Sequence, residues 1–179
     1  MTAPQLHPGD VFCVHGNMPV VSALIRGAEQ FWSIDNEACY GHAGIVTSAS
    51  GATLEALWRV RPATLEAYMG QNIIVARPLT TGTDPACPIT PMAKDLAIAS
   101  VSSHLGRMYP GWRLALHLIP PLAKYLSTGR YLVCSELTAK YLQLIGSRIG
   151  PFAGVNPDTL ADEWRRWKNF EVIFEGVWR

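Results

Sequence analysis

Three side chains in this sequence have the chemistry of acyl transfer: the thiol of Cys134, the imidazole of His42 and the carboxylate of Glu55. Cys134 lies in YLVCSELTAKYLQLIG, at the start of a segment with helical spacing. Backbone N–H groups and the positive end of the dipole at a helix start favour a thiolate, the form a cysteine nucleophile needs. The same residue also fits a structural role. Cys134, Leu137, Tyr141, Leu144 and Ile145 fall on one apolar stripe, and a cysteine buried on such a face is common. His42 follows Gly41 at the entrance of a strand, where its ring can take the thiol proton or pair with the thiolate. Taken alone, it also reads as a surface or capping histidine. His15, at the end of the first strand, is its rival; His7 is in the N-terminal tail, and His104 and His117 are on helical segments.

Glu55 stands inside the apolar run TLEALW. A lone buried carboxylate there would cost several kcal/mol, so it is paired, functional or simply facing outward. The run HAGIVT at 42–47 and the run at 53–58 are separated by Ser48-Ala49-Ser50-Gly51, which is turn chemistry and predicts a β-hairpin. A turn centred on Ser48-Ala49 would set His42 and Glu55 directly opposite each other on one face. A shift of the turn changes that pairing.

The elements that must position these residues follow from the local patterns. Residues 9–15 alternate after Pro8-Gly9 and predict a strand. Pro19 opens a helix that would bury Val21, Leu24, Ile25, Ala28 and Trp32. Residues 71–77 form a further strand, and 78–90 a surface connection. Pro91 starts a helix ending near Gly106, residues 133–145 form a helix stopped by Gly146, and Asn156-Pro157-Asp158 opens a last one to about 168. FEVIFE returns as a strand. Within 107–130, Leu114, Leu118, Leu122 and Leu126 are spaced as in a helix that Pro120-Pro121 must break or kink. Strands and helices segregate, which predicts an α+β fold with a mostly antiparallel sheet packed against helices.

Composition narrows the classes. A chain of 179 residues, 49% hydrophobic and 16% charged, is long enough for one domain, 1–179, with its own core and without staples. Disorder has the opposite composition. The formal charge of +1 and the absence of a basic stripe do not point to nucleic acid. The start MTAPQLHPGD lacks the charged and apolar regions of a secretory signal, and every apolar stretch is broken well before ~20 residues. The expectation is a cytoplasmic protein with reduced thiols and no membrane span, reaching any outside substrate by lysis or on a particle. Cys39-x-x-His42 has metal-like spacing but no second pair beside it, so neither a metal nor a cofactor is expected. Cys13 reads as core, Cys87 as loop and Ser135 as a helix-start residue without a nucleophile elbow around it.

Four short segments, in order, carry a family resemblance: Pro8-Gly9-Asp10-Val11; Gly41-His42-Ala43-Gly44-Ile45-Val46; Leu54-Glu55-Ala56; and Val133-Cys134-Ser135-Glu136-Leu137. The chain resembles the NlpC-type papain-like cysteine hydrolases. Because the histidine strand precedes the cysteine helix, it resembles their circularly permuted, YiiX-like branch, which is related to the lecithin:retinol acyltransferase group. Asn156-Pro157-Asp158-Thr159-Leu160 is similar to a segment that follows the cysteine helix in that branch. The resemblance spans roughly residues 7–160 and implies a papain-like fold, Cys134 as nucleophile, His42 as base and Glu55 as third member.

The expected activity is hydrolysis of amide bonds in peptides, cell-wall peptides being the class the resemblance implies. Two alternatives stand beside it: acyl hydrolysis or transfer on lipids, with peripheral lipid contact through the apolar stretch 114–126, and a catalytically inert binding or assembly module. Residues 107–130 match nothing in the family and are the variable, substrate-facing candidate. Tyr109 and Trp112, beside Gly111, are candidates to line the substrate pocket, though isolated aromatics fit a core equally well.

Overall fold

The computed structural model describes residues 4–15, 39–79, 88–108, 133–148, 152 and 154–179. The expected helix after Pro19, the leucine stripe at 114–126, and Cys87, Tyr109, Trp112 and His117 lie outside the described residues.

The chain runs β1 (Val11–Val14), β2 (His42–Val46), β3 (Ala52–Ala56), β4 (Val60–Thr64), a 3-10 turn (Leu65–Tyr68), β5 (Asn72–Pro78), α1 (Pro91–Ser102), α2 (Cys134–Leu144), α3 (Pro157–Arg166) and β6 (Phe170–Val177). The six strands form one sheet in the order β4-β3-β2-β1-β5-β6, every neighbouring pair antiparallel. The fold is α+β, as the segregation of patterns predicts.

The centre of the sheet is covered on both faces. VFCV of β1 is therefore apolar throughout rather than alternating. Val11 and Cys13 face a large cluster with Ile45, Leu54, Ile74 and the helices, which contribute Val101, Leu137, Tyr141, Leu160 and Trp164. Phe12 and Val14 face a smaller one with Val46, Ile73 and Val75, closed by Leu6, Leu65 and Trp178. Leu144 departs from the expected stripe: it is 48% exposed, because the helix ends there and Gly146, at φ 74°, turns the chain away.

β1 is pinned from its first residues. The buried Asp10 carboxylate accepts from the His7 N–H and takes a two-pronged hydrogen bond from Arg77 of β5, at 2.9 and 2.8 Å. Tyr141 of α2 donates to the Gly9 carbonyl at 3.0 Å and occupies the space a side chain at Gly9 would need. β4 has no counterpart in the sequence-based reading. VRPAT buries only Val60 and contains Pro62, which an edge strand accommodates because its outer N–H groups need no partner.

The hairpin forms with a register two residues from the one expected. Gly44, not His42, faces Glu55, followed by Ile45↔Leu54 and Val46↔Thr53. The loop uses Ser48 to Gly51, with the Gly51 N–H on the Ser48 carbonyl at 3.1 Å and Gly51 at φ 84°. A shift of two preserves the face. His42 and Glu55 become diagonal neighbours, and Gly44 leaves the space between them. A Cβ on Gly44 would stand 2.5 Å from the Phe12 ring and 3.0 Å from Glu55 Cγ. Gly44→Ala should therefore destabilise the protein by about 1–3 kcal/mol through overpacking. Thermal unfolding should record it as a drop of ~2–4 °C per kcal/mol.

Candidate active site

Glu55 has no exposure at all, and its carboxylate is saturated by donors. The Thr53 hydroxyl donates to Oε1 at 2.6 Å, the Tyr68 hydroxyl donates to Oε2 at 2.6 Å, and His42 Nε2 meets Oε2 at 3.1 Å. Burial pushes the Glu55 carboxyl up, but the His42 hydrogen bond and charge, joined by the two hydroxyls, outweigh it and hold the group below its ordinary value. Burial and the Glu55 charge push the Tyr68 phenol far up, so it stays protonated and donates. Tyr68 also packs on the His42 ring, with centroids 5.8 Å apart, and Phe12 approaches the same ring edge-on. Neither Thr53 nor Tyr68 was marked by the sequence. Thr53 lies two residues before Glu55 on the same face, a signal alternation offers; Tyr68 is brought in by the 3-10 turn, for which no local pattern exists.

Cys134 begins α2 and is half-buried. The β2–β3 ladder stops at Gly44↔Glu55, so Ala43 has no strand partner on the β3 side. Its N–H donates to the Cys134 sulfur, as does the Ser135 N–H from the helix's first turn. The thiol thus enters where the two strands part and meets His42. With Nε2 engaged by Glu55, Nδ1 is the ring nitrogen left for sulfur.

The structure therefore brings the three sequence-selected residues into one hydrogen-bonded row: thiol, imidazole, carboxylate. Burial opposes the charged imidazole, yet hydrogen bonds to Cys134 and Glu55 prevail and raise His42 from 6.5 to about 9. Burial likewise opposes a thiolate, but His42 and the two backbone N–H groups lower the Cys134 pKa.

The supports of α2 use its neighbouring polar residues. Ser135 donates to the Val155 carbonyl at 2.5 Å, so it is tied down rather than poised as a nucleophile. Glu136 accepts from the N–H groups of Val133 and Gly154. Asn156 caps α3 by accepting from the Thr159 N–H, and Asp158 accepts from the Cys39 N–H. His15 is half-buried at the end of β1, and His7 is exposed. His104, nearly buried, meets Arg107 and Lys140 instead of Cys134. Among the described residues no group of three His, Cys, Asp or Glu side chains is placed to hold a metal ion, and no helix is long and apolar enough to cross a membrane.

This sheet with its three helices is a YiiX-like α+β fold. A crystal structure of the metalloprotein yiiX from Escherichia coli O157:H7 (DUF1105) matches it with a TM-score of 0.55 at 18% identity, covering 97% of this chain and 88% of that one. At that identity the likeness concerns the fold alone. No protein-family model matches the chain, and no curated protein matches it.

The paired shifts set a pH dependence whose signs oppose. The stability supplied by His42, raised from 6.5 to about 9, is complete below 6.5 and lost as pH rises through about 9. That supplied by Cys134, lowered from 9.0, is complete above 9.0 and lost as pH falls through its lowered value. The two oppose each other wherever the His42 window and the thiol's window overlap, and Glu55, held below its ordinary value, adds a separate loss on the acid side. Urea unfolding should show a loss of stability on acidification through the thiol's lowered value that Cys134→Ala reduces. An equal acid-side slope in both proteins would mean the thiol is neutral.

Proposed function

We propose that the chain is a thiol hydrolase of the circularly permuted, NlpC-type papain-like class, cleaving amide bonds in peptides, with cell-wall peptides the expected substrates. The observation that carries this reading is the row Cys134–His42–Glu55, in which the thiol of a half-buried cysteine meets an imidazole whose far nitrogen is fixed by a buried carboxylate. The motif order along the chain supports the permuted class.

In this mechanism the Cys134 thiolate attacks the substrate carbonyl and a C–S bond forms. The Cys134 N–H, in a first turn without an intrahelical acceptor, is the donor for the developing oxyanion. As the C–N bond breaks, the His42 Nδ1 proton passes to the leaving amine. His42 then takes a proton from water, the resulting hydroxide attacks the thioester, and the carboxylic acid leaves as the thiolate returns. Glu55 holds the tautomer and the imidazolium charge. The yiiX protein is described as a metalloprotein. Here Glu55 and Cys134 engage opposite nitrogens of one ring, so the three donors do not converge on a point a metal could occupy. No step is routed through a metal.

Trp58, Leu105 and Met108 are 50, 49 and 67% exposed near the end of β3, which favours acyl chemistry on lipids as the second reading. Ester substrates with long acyl chains, tested beside peptides, separate the two.

The first test is the rate of iodoacetamide alkylation of each cysteine in the folded protein, read by mass spectrometry. Cys134 should react at about pH 6 while Cys13, Cys39 and Cys87 wait until about pH 8, and His42→Ala should erase that difference. A Cys134 that reacts only after unfolding makes the chain a binding or assembly module. On an amide substrate Cys134→Ala should abolish turnover, and Glu55→Gln should lower kcat by roughly a hundredfold while leaving KM near the wild-type value.

A further inference from the structure

We propose that His104, Arg107 and Lys140 form a binding site for a phosphate group. This goes beyond the hydrolase reading and stands without it. His104, 8% exposed, follows α1; Arg107 Nη1 lies 3.3 Å from its Nδ1, and Lys140 Nζ of α2 lies 3.0 Å from its Nε2. An ammonium and a guanidinium only donate, and a neutral imidazole offers one lone pair. Whichever ring nitrogen carries the proton, one contact sets donor against donor; protonating the ring makes both so. Three donor groups are held together with too few acceptors between them.

No described carboxylate relieves this. The segments 57–62 and 103–108, joined by Val60 N–H to the Arg107 carbonyl at 3.1 Å and Gly106 N–H to the Val60 carbonyl at 2.9 Å, contain no acidic residue and add Arg59 and Arg61. Glu136, one turn before Lys140, gives its carboxylate to the N–H groups of Val133 and Gly154. Burial and Arg107 lower the Lys140 pKa, and burial, Lys140 and Arg107 lower that of His104, with no acidic group among the described residues acting on either. Two fixed positive charges and a nearly buried ring match a group of charge near −2 with several acceptor oxygens, which describes a phosphate monoester better than a carboxylate. Arg107 is exposed and Lys140 half-buried, so the ligand has access. Exposed Leu105 and Met108 flank the cluster, so the phosphate can belong to a free species or to a lipid headgroup.

The test titrates inorganic phosphate into the full chain, followed by NMR of the histidine rings, beside co-sedimentation with phosphatidylcholine vesicles with and without phosphatidic acid. Saturable binding in either arm is expected, with the His104 ring signals moving before those of His7 and His15. Arg107→Gln and Lys140→Gln should each weaken it by about tenfold or more and leave thermal unfolding near wild type. Binding of phosphate assigns a soluble ligand; binding only to vesicles with phosphatidic acid assigns a headgroup. Should Lys140→Gln not fold, the wild-type ring shifts and Arg107→Gln still decide. No binding in either arm, movement of His7 or His15 alone, or undiminished binding in the variants overturns the proposal.

Discussion

A carboxylate with no access to water must be ringed by donors, and much of the smaller face of the sheet is arranged to supply them to Glu55. Thr53 comes from its own strand, His42 from the neighbouring one and Tyr68 from the turn after β4. This requires the β4–β5 connection to return Tyr68 over the sheet, Phe12 to lie beneath Gly44, and position 44 to have no side chain. The ionised carboxylate in turn favours a charged imidazole. Removing Thr53 strips Oε1 of its hydroxyl donor and removing Tyr68 or His42 halves the donors on Oε2, so local packing and the electrostatics of His42 are one problem.

The second constraint is where a ladder ends. Had Ala43 continued the β2–β3 pairing, its N–H would be consumed by β3. Because pairing ends at Gly44↔Glu55, the same N–H meets the sulfur, and the helix start supplies a second donor from Ser135. Cys134 therefore approaches from the helical face while the His42 ring packs with Phe12 and Tyr68 on the other. The parted strands are where the two touch.

These constraints explain what the sequence could reveal. Turn chemistry at Ser48 to Gly51 and the isolated acid in TLEALW were enough to pair β2 with β3 and to put His42 and Glu55 on a common face. The exact register was not legible, because a four-residue loop and a two-residue one have the same turn residues; the error was of even parity, so the face survived. β4 was hidden by Pro62, whose presence argues against a strand everywhere but at an edge. Tyr68 and the ladder's end depend on contacts between distant segments, which no periodicity encodes. Cys134 was found by helix position, whereas its environment comes from β2.

α2 shows how tightly these demands are shared. Within seven residues Cys134 enters the gap, Ser135 ties down Val155, Glu136 satisfies Val133 and Gly154, Leu137 fills the core and Lys140 reaches His104. Successive side chains of a helix point about 100° apart, so this division needs every direction around the axis. A rotation that improved the core fit of Leu137 or Tyr141 would swing the thiol out of the gap. Tyr141, bonded to the Gly9 carbonyl, opposes such a rotation from one side, and Ser135, bonded to Val155, opposes it from another. The helix is thus clamped at both ends of its buried stripe, and the position of the thiol follows from the position of β1.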